Sequence, residues 1–164
     1  MPPPAPQESF ATWEDAFQYA QNHAKRHGYA VVKKRSSNRE NGVPRRQDLS
    51  CACSGSFTDK STGKREGSSR KTECPFKLKI VQRKVLGDRW FLDVMCGNHN
   101  HLSDHPDAFP EHRKLTPREL DEVHLQSEEM NFTARSVLLS LRANNPNTLV
   151  TEQDIYNIQS AQRE

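Results

Sequence analysis

The hydrophobic positions near the start of the chain follow the period of a helix. Apolar residues recur three or four positions apart, at Trp13, Ala16, Phe17, Ala20 and Ala24. This spacing predicts a helix with one apolar face, and we expect its aromatic side chains to pack on a sheet. Thr12 and Asp15 form a capping box before the helix, with Phe10 as a hydrophobic staple, and Gly28 marks the end.

The pattern then changes to one typical of β-strands. Four runs rich in β-branched, aromatic or alternating residues predict strands at residues 29–35, 48–51, 74–81 and 89–95. Residues 36–46 and 55–69 are rich in Gly, Ser and other polar residues, and they are interpreted as loops. Together these runs predict a small antiparallel sheet of four to five strands.

Helical periodicity returns in the last third of the chain. Thr116, Thr133 and Thr151 each precede apolar residues at helical spacing, which predicts three helices in a unit that resembles a helix-turn-helix. We therefore predict an α+β fold. Its parts are a disordered Pro-rich tail (1–8), a sheet domain (9–101), a linker (102–115) and a helical unit (116–164).

Charge is distributed unevenly along the sequence. Residues 23–90 contain 18 Lys and Arg but only 6 Asp and Glu, whereas the segments on both sides are acidic. A basic block of this kind is the electrostatic footprint of a protein that binds a polyanion, and DNA is the partner we expect. The start of the sequence does not resemble a signal peptide, and no apolar run approaches the length of a membrane span. We therefore expect a soluble intracellular protein without a membrane partner.

Two cysteines and two histidines are candidate metal ligands. Cys51 precedes Cys74 by 22 intervening residues, and 24 more separate Cys74 from the His99-Asn-His101 pair. Two thiolates and two imidazoles form the ligand set of a closed structural zinc site, and a His-x-His pair on a strand points to one side. The spacing differs from that of the common zinc finger, so four unconnected residues are the alternative interpretation. Cys53 and Cys96 are rival ligands.

The low hydrophobic content of the chain indicates that a bound metal would have a structural role. Only 33% of the residues are hydrophobic, against a usual value near 45–50% counted with Gly. One structural Zn²⁺ would supply the stability that so small an apolar core lacks.

Several separated motifs occur in an order that resembles a known family. They are Trp13-Glu-Asp-Ala-Phe17, His27-Gly28-Tyr-Ala-Val-Val-Lys33, Arg70-Lys71-Thr-Glu-Cys74-Pro75-Phe76, Trp90-Phe-Leu-Asp-Val and His99-Asn-His101. Together they resemble the zinc-finger DNA-binding domain of the far-red-impaired-response family, in the WRKY–GCM superfamily. This domain also heads many Mutator-like transposases. The resemblance covers roughly residues 10–115. It makes Cys51 the first ligand and places Cys53 where the family has Arg.

The resemblance also implies which residues contact DNA. In the superfamily, the first strand after the helix enters the major groove, and its counterpart here carries Lys33, Lys34, Arg35 and Ser36. Arg39 lies in the basic loop that follows. Arg70 and Lys71 precede Cys74 and are expected to contact phosphates. The heptapeptide that names the WRKY subgroup is absent, so no target site can be carried over.

These observations predict a nuclear, sequence-specific DNA-binding module, either a transcription regulator or a targeting domain derived from a transposase. The alternative is a zinc-stabilised protein-interaction module, for which the acidic helical unit is the candidate surface. We do not expect an enzyme or a small-molecule substrate. Although His99-Asn100-His101 spells the name of a nuclease motif, both histidines are assigned here as structural ligands, which leaves no open metal position.

Overall fold

The structure, a computed structural model, describes residues 1–5, 9–40, 43–59, 67–128 and 132–162, with only the backbone described for residues 38–40 and 43. The chain divides into two compact units, residues 1–106 and residues 107–164. Among the described residues, the first unit contains one α-helix and a four-stranded antiparallel sheet, and the second contains three α-helices. The predicted α+β fold class is therefore confirmed.

Helix α1 spans Trp13–Arg26 and begins as the sequence predicts. The Thr12 hydroxyl accepts a hydrogen bond from the Asp15 amide, and the Asp15 carboxylate accepts one from the Thr12 amide. This reciprocal pair satisfies two of the amide groups that every helix N-terminus leaves without an intrahelical partner. Gly28 follows the helix with a φ of 73°, a left-handed conformation that glycine adopts without steric cost.

The sheet is formed by β1 (Val31–Glu40), β2 (Val43–Cys51), β3 (Lys77–Arg83) and β4 (Arg89–Cys96), in that spatial order. All neighbouring strands are antiparallel. Phe10 adds a single antiparallel bridge to Trp90 on β4. Strand β1 is therefore an edge strand. Its ladder with β2 is interrupted between Lys33 and Arg35, which leaves Lys34 as an extra residue in a β-bulge.

The predicted loop at residues 36–46 is wrong for residues 36–40 and 43–46, which form strands, and residues 41 and 42 lie outside the described part of the chain. Both β1 and β2 extend into this segment, with Ser37 opposite Arg46 and Arg39 opposite Pro44. Strand β3 pairs with β2 only from Arg46 onward, so the end of the hairpin projects as a two-stranded ribbon. Neither face of such a ribbon needs to be apolar. Its polar sequence therefore lacks the alternation by which strands are predicted.

Small residues allow α1 to approach the sheet closely. Ala16, Ala20 and Ala24 are completely buried, and the sheet contributes the larger apolar side chains, among them Leu49, Phe76, Leu78, Ile80, Trp90 and Leu92. The completely buried part of the face of α1 that packs on the sheet is therefore formed by alanine, with the aromatic residues at its edge. Trp13 and Phe17 are only partly buried, and the Lys33 Nζ lies 4.0 Å and 4.9 Å from their ring centroids.

The first residues of the predicted disordered tail lie against this unit. Pro4 is buried, and the Pro2 carbonyl accepts a hydrogen bond of 3.3 Å from the Tyr29 hydroxyl. The Ala5 carbonyl accepts another, of 3.1 Å, from the hydroxyl of Tyr19 on α1. Residues 6–8 lie outside the described part of the chain.

The second unit contains α2 (Pro117–Glu128), α3 (Ala134–Asn144) and α4 (Glu152–Gln162). Its core is aliphatic and consists of Val123, Ala134, Val137, Leu138, Leu141, Val150 and Ile155. All three predicted threonine caps are present, because Thr116, Thr133 and Thr151 each accept a hydrogen bond from an amide three residues later.

The predicted linker at residues 102–115 contains two short 3-10 helices, Pro106–Ala108 and Pro110–His112. None of the helices in the described part of the chain combines the length and hydrophobicity that a bilayer span requires.

Candidate metal centre and nucleic-acid interface

The fold brings together the four residues that the sequence analysis assigns as ligands. One donor atom from each of Cys51, Cys74, His99 and His101 lies within 4.8 Å of all the others. The Cys51 Sγ is 3.2 Å from the His101 Nε2, and the Cys74 Sγ is 3.4 Å from the His99 Nδ1. The two ring nitrogens are 3.3 Å apart. The four donors therefore lie close enough to hold one metal ion.

The separations match the size of a tetrahedral zinc site. Zinc binds thiolate sulfur at about 2.3 Å and imidazole nitrogen at about 2.0–2.1 Å, so its donors lie about 3.3–3.8 Å apart. Three of the distances between the donor atoms, 3.2–3.4 Å, lie at or just below the lower end of this range, and the other pairs lie within 4.8 Å. With all four positions taken by protein, the arrangement is that of a closed structural site.

Three separate segments deliver the ligands. Cys51 is the last residue of β2, and Cys74 lies three residues before β3. His99 and His101 follow the end of β4 at Cys96. A metal ion held here would therefore tie together the ends of three strands. Such cross-linking stabilises a fold most where the apolar core is small.

The electrostatics of the four residues suit a bound cation. Burial raises the pKa of the Cys51 thiol, and the nearby Cys74 and Cys53 thiols raise it further, against the opposing effect of the Cys53 amide hydrogen bond. Burial, followed by the charge of His101, lowers the pKa of His99 to about 4. His99 is thus held in the neutral form that binds metal. Cys51 needs a cation beside it to exist as a thiolate.

Neighbouring groups orient the ligands. The His101 Nδ1 lies 2.9 Å from the Leu102 carbonyl oxygen, so it can donate a hydrogen bond there while Nε2 faces the centre. The Cys53 amide donates to the Cys51 Sγ at 3.4 Å. The His99 ring is stacked on Phe76 with centroids 4.2 Å apart and also contacts Tyr29. Within the described residues the buried Nε2 of His99 has no hydrogen-bond partner.

A hydrogen-bonded pair joins the ligand segments independently of any metal. The Asn100 amide donates to the Thr72 carbonyl at 2.6 Å, and the Thr72 hydroxyl donates to the Asn100 side-chain oxygen at 2.9 Å. The Thr72 amide also donates to the Cys53 carbonyl at 2.8 Å. Thr72 lies two residues before one ligand, and Asn100 lies between the two histidines. This Thr72–Asn100 clamp therefore connects all three ligand segments.

A close backbone contact holds the segment that follows His101. The Asp104 amide donates to the Gly28 carbonyl at 2.9 Å. A Cβ atom on Gly28 would lie 2.7 Å from the Asp104 carbonyl oxygen, which is too close for any other residue type without movement. Gly28 thus has a second role, beyond ending α1.

The rival cysteines do not belong to the group of four donors found among the described residues. Cys53 is buried beside Cys51, and its backbone supports the site through the bonds to Thr72 and to the Cys51 Sγ. Cys96 is partly buried at the end of β4.

The residues predicted to read DNA bases lie on the edge strand. Lys33, Lys34, Arg35 and Ser36 are all exposed on β1. Lys33 lies over the aromatic rings of α1, and the Ser36 hydroxyl donates to the Gln47 side chain at 2.6 Å. Arg39 is also on β1, but its side chain lies outside the described part of the structure.

The predicted phosphate contacts lie in the segment before Cys74. Arg70 and Lys71 are both exposed, and Arg70 forms an ion pair of 3.7 Å with Asp104. Sequence reasoning missed the Thr72–Asn100 clamp, because a single Thr and a single Asn carry no periodic signal. It also missed the grouping of Arg46 and Lys77 with Lys34, which depends on strand register.

Comparison with known proteins identifies the family. The profile of the FAR1 DNA-binding domain matches residues 18–104, more than half of the chain. The chain belongs to the FAR1 DNA-binding domain family. The matched residues include all four candidate ligands and the whole sheet, so the DNA-binding domain corresponds to the first structural unit.

Two curated relatives and one solved structure are similar to this FAR1 domain protein. FAR1-RELATED SEQUENCE 10 of Arabidopsis thaliana is 27% identical over 127 residues, which is 73% of this chain and 18% of that protein. The PKS-NRPS hybrid synthetase cheA of Chaetomium globosum is 31% identical over 146 residues, 85% of this chain and 3% of that protein. The chain thus spans less than a fifth of either relative. The crystal structure of AFT2 in complex with DNA has a TM-score of 0.43 and 15% identity, and the match covers 87% of this chain and 92% of that one.

Proposed function

We propose that the first unit binds double-stranded DNA in a sequence-specific manner through the edge strand β1 of a sheet stabilised by one zinc ion. The family match carries this proposal, because residues 18–104 contain both the sheet and the candidate ligands. The whole protein would act in the nucleus, as a transcription regulator or as a targeting domain derived from a transposase. We extend the family relationship to the WRKY–GCM superfamily as part of the same proposal.

Zinc is the metal that best fits the ligand set. Two thiolates and two neutral imidazoles at tetrahedral spacing favour zinc over magnesium or calcium, which bind oxygen ligands. Bound at Cys51, Cys74, His99 and His101, zinc would supply structural stability rather than a reactive centre, because every coordination position would be occupied by protein.

The geometry of β1 suits the major groove. The groove is about 12 Å wide and admits a two-stranded β-ribbon, and the β1–β2 hairpin projects beyond β3 as a ribbon of this kind. Lys33, Lys34, Arg35 and Ser36 would face the bases, with Arg39 further along the same ribbon. Arg70 and Lys71 would contact the phosphate backbone.

The distribution of charge supports this assignment. Residues 1–106 contain 18 Lys and Arg against 11 Asp and Glu, whereas residues 107–164 contain 6 against 10. Only the first unit has the positive charge needed to displace the counterions that surround DNA. The helical unit is the candidate surface for a protein partner.

Selection from a pool of random duplexes, with the zinc-loaded chain, tests the proposal directly. We expect enrichment of one short site and loss of binding when a chelator removes the metal. If about five phosphates are neutralised, the slope of log affinity against log salt should be about −4 to −5. Arg35→Ala should relax the preference at one base position, at a cost of roughly 1–3 kcal/mol on the selected site. If duplex binding does not strengthen at low salt, the result would favour the protein-interaction module instead.

A further inference from the structure

The face of the sheet opposite α1 contains a groove of about 750 Å³ beside the candidate metal centre. Its walls include Lys34 and Arg35 from β1, Arg46 from β2 and Lys77 from β3. The segment Ser54–Ser56 adds hydroxyl and backbone amide groups at one end. The groove therefore combines positive charge with uncharged hydrogen-bond donors.

Strand register explains why these cations share one face. Val32, Ser50 and Lys77 are successive cross-strand partners, so they lie in one row across β1, β2 and β3. Successive residues of a regular strand point to opposite faces. The bulge at Lys34 breaks this alternation, and as a result Lys34 and Arg35 both line the groove.

Most of the cationic groups in the groove have no acidic partner. Among the described residues, Lys34, Arg35 and Lys77 form no ion pair, and all three are exposed. Other cations on the same face are neutralised within the sheet. Lys79 lies 3.3 Å from Asp93, and Arg46 lies 2.7 Å from Asp48.

We infer that the inner end of this groove, lined by Lys77 and the Ser54–Ser56 segment, binds the sugar–phosphate backbone of one DNA strand while Lys34 and Arg35 at its outer wall reach the bases of the adjacent major groove. The inference rests on the proposed function and specifies a second contact surface for it. The phosphodiester backbone is the occupant that an unpaired lysine with neighbouring hydroxyl and backbone amide donors recognises.

The dimensions of the sheet and of DNA agree with this arrangement. Neighbouring strands lie about 4.8 Å apart, so Lys77 on β3 lies about 10 Å inward from the edge strand. The major groove is about 8.5 Å deep. A sheet that enters it edge-first therefore places its third strand level with the phosphates at the mouth of the groove.

Two acidic residues line the groove, and one of them opposes this binding. Asp48 is paired with Arg46, whereas Glu73 is exposed and has no ion-pair partner among the described residues. Its carboxylate would repel a phosphate. Removal of its charge should therefore tighten DNA binding, a result that partial misfolding cannot produce.

The test uses the full zinc-loaded chain and a random-sequence duplex, with binding measured across a salt series. Lys77→Gln should weaken binding about fivefold near 0.15 M salt and reduce the salt slope by about 0.9. Lys79→Gln is the matched control, because Lys79 lies on the same strand and the same face but is paired with Asp93 outside the groove. We expect no change in slope for it. Glu73→Gln should strengthen binding, and zinc content is measured for every variant.

The outcomes separate the two proposals. If the unmodified chain binds DNA with the expected salt dependence but Lys77→Gln and Glu73→Gln both behave like it, the backbone lies elsewhere and the groove assignment is wrong. If only Arg70→Gln and Lys71→Gln weaken DNA binding, the DNA backbone contacts the segment before Cys74 and not the groove. If the unmodified chain shows no salt-dependent binding, the proposed function fails, and the groove assignment fails with it.

Discussion

The sheet unit, residues 1–106, and the helical unit, residues 107–164, differ in what holds each of them together. The sheet unit packs three alanines of α1 against a sheet whose strand ends meet at four potential metal ligands. The helical unit instead has an aliphatic core of valine, leucine and isoleucine and a side-chain cap at the start of every helix. One unit therefore has a place where a bound metal ion could join its strand ends, whereas the other carries its stability in apolar contacts and caps.

In the sheet unit, the residues that would stabilise the fold are therefore different from those on the surface that would bind DNA. A surface rich in unpaired cations leaves fewer positions for apolar residues. A metal ion bound at the four candidate ligands would compensate without using any of the exposed face. The helical unit has no such constraint, and its polar groups cross-link its own helices. Ser140 and Asn144 of α3, for example, donate hydrogen bonds of 3.1 Å and 3.0 Å to the Glu122 carboxylate of α2.

Removal of the metal should have the largest effect. Chelation, or Cys74→Ala, should unfold the sheet unit, because structural zinc contributes roughly 10–16 kcal/mol to the folding of small zinc domains. Both tryptophans, Trp13 and Trp90, lie in this unit, so tryptophan fluorescence reports on it alone. Circular dichroism should show that the helices of 12, 11 and 11 residues in the other unit persist. Loss of the entire helical signal would show that the two units fold as one.

A cavity in the core of the helical unit should destabilise that unit and leave the sheet unit folded. Leu141→Ala removes a buried side chain from α3 and should destabilise the helical unit by about 2–5 kcal/mol. Thermal unfolding followed by circular dichroism should shift to lower temperature. Zinc content and tryptophan fluorescence should remain as in the unmodified protein. A simultaneous loss of zinc would contradict the separate stabilisation of the units.

The Thr72–Asn100 clamp allows a test of the metal centre without a change of ligand. Asn100→Ala removes both hydrogen bonds to Thr72 and should lower zinc affinity about 10- to 100-fold, the usual effect of losing a group that orients metal ligands. Competition with a chromophoric chelator measures this affinity. Asn98→Ala is the control, since Asn98 is an exposed residue of the same type two positions away. Equal affinities for the two variants would mean that the metal alone orders the ligand segments.

The smallest expected effect concerns acid stability of the helical unit. Burial acts to raise the pKa of Glu119, but hydrogen bonds from Thr116 and Asn145 outweigh it and hold the pKa below its ordinary value of 4.5. Because the folded state favours the ionised form, this stabilisation is present above about pH 4.5 and is lost as the pH falls through the lower folded-state pKa. Glu119→Gln should therefore reduce the loss of unfolding free energy between about pH 6 and pH 3.

The sequence predicted those parts of the fold that have a local or periodic signature. Thr12, Thr116, Thr133 and Thr151 were identified as caps because capping depends on residues three positions apart. The four candidate ligands were identified because few other residue types bind zinc. The structure brings these residues together, although their identity as zinc ligands stays a prediction.

Features that depend on tertiary register could not be predicted in this way. The hairpin at residues 36–46 has no apolar alternation because its strands extend beyond the core. The pattern also did not show that Trp13 and Phe17 would be only partly buried, because an amphipathic pattern identifies an apolar stripe but not which part of it reaches the sheet. The groove beside Lys77 depends on a one-residue bulge in another strand, and no local pattern reveals its position.

The position of Lys33 above Trp13 and Phe17 has a consequence for the selectivity of DNA recognition. A lysine side chain carries about 2 kcal/mol of rotamer entropy, part of which is lost whenever the side chain is ordered in a complex. The aromatic pair restricts the Lys33 ammonium group before DNA arrives, at 4.0 Å from the Trp13 ring. Part of the entropy cost of ordering the Lys33 side chain is thus incurred when the protein folds. In the proposed complex the strand would present this charge from one fixed direction, so Trp13, a helix residue outside the proposed DNA-contacting set, would help to determine which duplexes are accepted.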